Sequence, residues 1–114
     1  MATVFGLIIA GKLPSKKVFE NERILAFKDI APKAPVHILI IPKKEILNLQ
    51  AVSPDDMYLV TEMICVAQEL AQEMGISEGY RLLTNNGKEG GQVVNHLHFH
   101  LIGGKPLQTH IDLG

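Results

Sequence analysis

The run His96-Leu-His-Phe-His-Leu-Ile-Gly-Gly104 alternates imidazole and apolar side chains through three cycles. In a strand, successive side chains point to opposite faces. The run therefore predicts a strand over about 96–102, with His96, His98 and His100 on one face. Leu97, Phe99 and Leu101 take the other. The apolar side can sit on a core while the imidazole row fronts a groove. These are three of the five histidines in 114 residues, and the rest of the chain reads as their scaffold and pocket.

Taken in order, residues 3–11 suit a short helix, with Phe5, Ile8 and Ile9 at helical spacing and Gly11 as its stop. Residues 17–20 and 23–30 alternate well enough for two strands around a turn at Asn21-Glu22. In the second, Leu25, Phe27 and Asp29 share a face, so Asp29 is either a strand-end turn residue or a carboxylate for ligand hydroxyls. Ala31-Pro-Lys-Ala-Pro35 is a stiff connection. Residues 36–41 are apolar on both faces and read as a central strand. His37 opens it on the face of Leu39, and by itself reads as a hydrogen-bonded core histidine.

Ser53-Pro-Asp-Asp56 has the form of a helix start, with serine as N-cap. Met57, Val60, Ile64, Ala67, Ala71 and Met74 follow as an apolar stripe, and Gly75 sits where a left-handed C-terminal residue is wanted. Residues 80–84 form another strand, and Asn85-Asn-Gly-Lys-Glu-Gly-Gly-Gln92 is a turn-rich loop. That loop lacks the Gly-Lys-Ser/Thr ending of a Walker loop, yet its glycines can aim backbone N–H groups at an anion. The succession predicts an α+β fold with a mainly antiparallel sheet.

The length sets one domain over 1–114. A net charge of −1 provides no broad basic footprint for nucleic acid or acidic membranes. The single cysteine, Cys65, cannot close an internal disulfide, which favours a reducing compartment. It reads as an inert, partly buried helix residue. The apolar N-terminal run is too short to span a bilayer and has no basic leader. A cytoplasmic location is expected.

Three chemistries fit the imidazole row. In a metal site, His96 and His100 would lie about 13 Å apart along the strand, too far to share a zinc ion with nitrogens at about 2.0–2.1 Å. Two adjacent members with His37 remain a possible ligand set, but no nearby Cys or Asp is expected to complete a familiar site. A purely structural row accounts for one or two histidines. Nucleophilic catalysis at phosphorus uses more of the motif. A neutral imidazole attacks near pH 7 and splits one displacement into two. A second imidazole on the same face serves the phosphoryl oxygens or the leaving group, and the glycine loop stabilises charge.

His96-Leu-His-Phe-His-Leu-Ile102, preceded by Gly90-Gly-Gln92, resembles the signature of the histidine-triad (HIT) superfamily. Val4-Phe-Gly-Leu-Ile-Ile9, Leu25-Ala-Phe-Lys-Asp-Ile30 and Ala34-Pro-Val-His-Ile-Leu-Ile-Ile-Pro42 resemble its HINT branch, the histidine-triad nucleotide-binding proteins. The resemblance spans residues 3 to about 106. It implies a five-stranded antiparallel sheet with two helices, and a homodimer that joins two sheets into one of ten strands. It implies hydrolysis of a purine nucleoside phosphoramidate, such as AMP joined to lysine or another amine, or of an aminoacyl-adenylate. No metal or other cofactor is implied, and no nucleic-acid or membrane partner.

By the same resemblance, His98 is the nucleophile and His100 contacts the phosphate and assists proton transfer. His37 supports them, and His96 is mainly structural. Asp29 holds the ribose hydroxyls. Phe5, Ile8, Leu13, Phe27, Ile30 and Leu39 match the apolar base pocket, while Asn85, Gly91 and Gln92 match the phosphate side. Val93 departs from relatives that carry a serine near the leaving group, and Asn95 stands where an aromatic residue is common. The tail, about 105–114, has no tryptophan, and His110 reads as a tail residue. A dinucleoside polyphosphate hydrolase or nucleotidyl transferase would use the same triad. A nucleotide-binding adaptor with incidental catalysis is the rival from another class.

Overall fold

The structure, a computed structural model, describes residues 3–108. A short helix α1 (Val4–Ile9) is followed by strands β1 (Lys17–Glu20), β2 (Ile24–Lys28) and β3 (Val36–Pro42). Then come the long helix α2 (Met57–Glu73), β4 (Tyr80–Leu83) and β5 (Phe99–Gly103). The five strands form one antiparallel sheet in the order β1-β2-β3-β5-β4. The expected fold, a five-stranded antiparallel sheet with two helices, is the one observed.

The two sheet faces bury different residues. Ile24, Ala26, Ile38, Ile40, Leu97, Phe99 and Leu101 pack with α2 in the larger core. Leu25, Phe27, Leu39 and Ile41 face the other way and pack with Phe5 and Ile8 of α1. The alternation in 96–102 is thus realised in space, with its apolar members on the α2 side. Strand β5 itself starts only at Phe99. His96 and His98 precede it, because the Leu97 N–H is taken by the Ile46 carbonyl (2.7 Å) and not by a neighbouring strand.

Strand β2 also stops short of the expected Ile30. Asp29 turns the chain out of the sheet, its Oδ1 accepting from the Ala31 N–H at 2.8 Å. Ser53 does not cap α2 with its side chain. It precedes a 3-10 turn (Pro54–Asp56) that leads into the helix. The buried helix face is Leu59, Val60, Met63, Val66, Ala67, Leu70 and Ala71. Met57 and Ile64, expected in that stripe, are exposed, because Met63, one residue before Ile64, occupies the face turned to the sheet. Cys65 is exposed as well, not partly buried. Gly75 has the expected left-handed conformation at φ 72°.

Side-chain contacts tie the hairpin to α2. Asn21 Oδ1 accepts from the N–H groups of Arg23 and Ile24, fixing the β1–β2 turn. Arg23 then grips Glu62 through two nitrogens at 2.7 and 2.9 Å, and Asn21 donates to the same carboxylate. Gly104 ends the histidine strand at φ 94°, and an added Cβ would lie 3.0 Å from Pro35 Cβ. Gly104→Ala should therefore cost about 1–3 kcal/mol, measured by chemical denaturation. Unchanged stability would show that the backbone relaxes freely there.

Candidate active site

Three of the four imidazoles expected at the site converge on one cleft. His37 comes from β3, His100 from β5, and His98 from the extended run just before β5. With Asp29 at the end of β2, they line one cleft of about 460 Å³. His98 and His37 are buried, and His100 is half-buried. His96 is only 2 % exposed and does not line the cleft. Its Nε2–H donates to the Pro42 carbonyl at 2.8 Å, tying the ring to the end of β3.

Hydrogen bonding fixes the state of each ring. A carbonyl oxygen can only accept, so the 2.7 Å contact between His98 Nδ1 and the His96 carbonyl requires Nδ1–H. In the neutral ring Nε2 then carries a free lone pair. The Lys33 N–H donates to His37 Nδ1 at 3.0 Å, which places the proton of neutral His37 on Nε2. That Nε2–H lies 2.9 Å from His100 Nδ1, so His100 accepts there and keeps its own proton on Nε2. Asp29 Oδ2, 3.4 Å from His37 Nε2, stands behind the pair. Phe5 packs edge-on to the His98 ring with centroids 5.0 Å apart. Thr84 Oγ1 donates to the His98 carbonyl at 2.7 Å, holding the next peptide in place.

Burial keeps these rings neutral. It pushes His98 below the ordinary imidazole range, partly opposed by the hydrogen bond to the His96 carbonyl. It pushes His100 down to about 4, with His98 and His37 adding to the effect. It lowers His37 too, against the attraction of Asp29. At pH 7 the site therefore presents one neutral nucleophilic nitrogen on His98 and one N–H donor on His100.

Asp29, His37 and His100 also bring one ligand atom each within 4.8 Å of one another. An aspartate therefore does join the histidines, contrary to the expectation that none would. Their donor chemistry does not suit a cation. The nitrogen at the centre, His37 Nε2, carries a proton because Nδ1 is held by the Lys33 N–H, and a metal needs a lone pair there.

Of the residues expected on the nucleotide side, Phe5, Ile8, Phe27, Ile30, Leu39, Asn85, Gly91 and Val93 line the cleft. Ile30 and Val93 do so at its mouth, 100 % and 91 % exposed. Leu13 and Gln92 are not among the lining residues. Gln92 instead staples the loop, accepting from the Gly87 N–H and donating to the carbonyls of Leu47 and Val94. Sequence reasoning missed Ser15, Lys33 and Thr84. Ser15 sits one residue past Pro14 in an unpatterned connection, and the other two act through contacts that only the folded backbone creates. The tail expectation for His110 lies outside the described residues.

The sign of the pH dependence follows from the lowered values. Between about pH 4 and 6.5 the unfolded chain binds more protons at these rings than the folded one, so stability rises with pH there. Denaturation midpoints should fall as pH drops from 7 towards 4.5, and His100→Gln should flatten that slope. Parallel slopes for the two proteins would remove His100 from this role.

Comparison with known proteins places this geometry. The HIT domain model matches residues 10–107. A HIT-like protein of Chlamydia pneumoniae is 56 % identical over 105 residues, covering 92 % of this chain and 96 % of the relative. A HIT family hydrolase from Legionella pneumophila superposes with a TM-score of 0.90 at 47 % identity, over 93 % of this chain and 96 % of its own. A histidine triad nucleotide-binding protein from Candida albicans gives a TM-score of 0.80 at 32 % identity, over 96 % and 87 %. The chain belongs to the histidine-triad (HIT) family.

Proposed function

We propose that this protein hydrolyses purine nucleoside phosphoramidates, AMP–amine conjugates or aminoacyl-adenylates, through an adenylyl-histidine on His98. The observation that carries the reading is the His98 tautomer. With Nδ1–H held by the His96 carbonyl, Nε2 is a neutral nucleophile inside the cleft. Attack at phosphorus forms the N–P bond to His98 and breaks the bond to the leaving group, releasing the amine of a phosphoramidate or the carboxylate of an aminoacyl-adenylate. His100, whose free donor is Nε2–H, serves the phosphoryl oxygens, whose charge raises its pKa when substrate binds. As the anionic substrate binds, the His37–His100 pair takes up one proton from solvent, and His100 passes one from Nε2 to the departing group. In the second step water attacks the phosphorus and gives its proton to His100, the P–N bond to His98 breaks, and His98 regains its original tautomer.

The remaining lining suits the rest of a nucleotide. Asp29 has a carboxylate at the cleft for ribose hydroxyls, and Phe5, Ile8, Phe27 and Leu39 form an apolar wall for a base. Asn85 and Gly91 stand on the phosphate side. Relatives support the class: one structural neighbour is a hydrolase and another is named for nucleotide binding. Under this reading the chain sits in the HINT branch and works in the cytoplasm. Strand β4 is an edge strand, and Met57, Tyr58, Ile64 and Tyr80 are exposed. An unpaired edge of this kind invites strand pairing, which supports a homodimer with a ten-stranded sheet.

Single-turnover cleavage of an adenosine phosphoramidate tests the reading, with wild type and His98→Ala each assayed with and without a chelator. Chelator-resistant AMP release that falls by about 10⁴-fold or more in the variant is expected. Cleavage that needs a metal, or that survives in His98→Ala, would overturn it. Tight AMP binding without turnover would favour an adaptor.

A further inference from the structure

Ser15 lines the cleft, yet its Oγ is shielded from solvent and has no hydrogen-bond partner among the described residues. A hydroxyl in that position forgoes both its donor and its acceptor bonds, which is costly and uncommon in folded proteins. Serine rotamers interconvert by one χ1 step, so the group can turn to a ligand in the cleft without backbone movement.

Its place in the sheet says which part of a ligand it meets. Ser15 lies just before β1, whose entry is fixed by the Lys28 N–H donating to the Lys16 carbonyl at 3.0 Å. Across the order β1-β2-β3-β5, the reactive imidazoles sit on the β5 side and Asp29 at the end of β2. Ser15 lies one strand beyond Asp29, about 14 Å or three strand spacings from the β5 line. A 5′-nucleotide laid phosphate to β5 and ribose to Asp29 brings its base to Ser15. The apolar lining of the cleft, Phe5, Ile8, Phe27 and Leu39, matches the faces of a base but cannot read its edge.

We infer that Ser15 is a specificity-determining residue that reads the polar edge of the purine through its Oγ. The inference rests on the nucleotide reading above. Because a hydroxyl both donates and accepts, it serves a ring nitrogen or an exocyclic group, and it selects against a base whose edge carries only C–H.

Calorimetric binding of AMP and of benzimidazole riboside 5′-monophosphate tests this, since the second ligand keeps the shape but replaces the six-membered ring edge with C–H groups. Wild type should prefer AMP. Ser15→Ala should weaken AMP about 3- to 10-fold, leave the benzimidazole ligand unchanged, and so abolish the preference. Its melting temperature should not fall, because the hydroxyl removed has no partner in the free protein, whereas a structural serine would cost stability. A preference that survives in Ser15→Ala, or equal weakening of both ligands, overturns the role of Ser15 alone. Failure of wild type to bind AMP overturns the nucleotide reading and this inference with it.

Discussion

The hydrogen bond from His98 Nδ1 to the His96 carbonyl is the contact on which the proposed chemistry depends. It spans only two residues, so it requires the extended backbone that precedes β5, and that backbone is held from several sides. The His96 ring is anchored on the Pro42 carbonyl, the Leu97 N–H on Ile46, and the His98 carbonyl on Thr84. Burial pushes this imidazole below its ordinary range, and the hydrogen bond removes the option of the other tautomer. What remains is a lone pair at Nε2, poised in a cleft.

The same logic extends across the sheet. Lys33, in the proline-stiffened loop, donates to His37, His37 donates to His100, and His100 is left with a proton to give. One backbone N–H thereby sets the protonation pattern of two rings. It also decides the character of the Asp29–His37–His100 group, which has the spacing of a cation site but a proton at its centre. Spacing alone would have suggested a metal; hydrogen-bond direction argues for proton handling. The Asp29 carboxylate meanwhile does two things at once, with Oδ1 closing the turn and Oδ2 standing beside His37.

Much of this was legible in the chain, for identifiable reasons. Period-two alternation is enforced by strand geometry, so the faces of His96, His98 and His100 followed from the residues themselves. Prolines and glycines act locally, and Gly75 behaved as its position required. The helix stripe was placed less well, because every third or fourth residue of an apolar-rich helix offers more than one face, and only packing on the sheet chose Met63 over Ile64. Asp29 stood undecided between turn and ligand from its own neighbourhood; the folded chain shows the turn contact through Oδ1 and sets Oδ2 beside His37. Gln92 belongs to the recognised motif, yet its side chain braces the loop. Ser15 and Lys33 left no local signal at all, since their importance comes from strands that meet only in the fold.

The protonation pattern is directly measurable by long-range nitrogen–proton correlation NMR of the imidazole rings at pH 7. The hydrogen bonds predict a neutral His98 protonated on Nδ1, with His37 and His100 neutral and protonated on Nε2. An imidazolium at His98, or a proton on its Nε2, would contradict the assignment of this ring as the nucleophile.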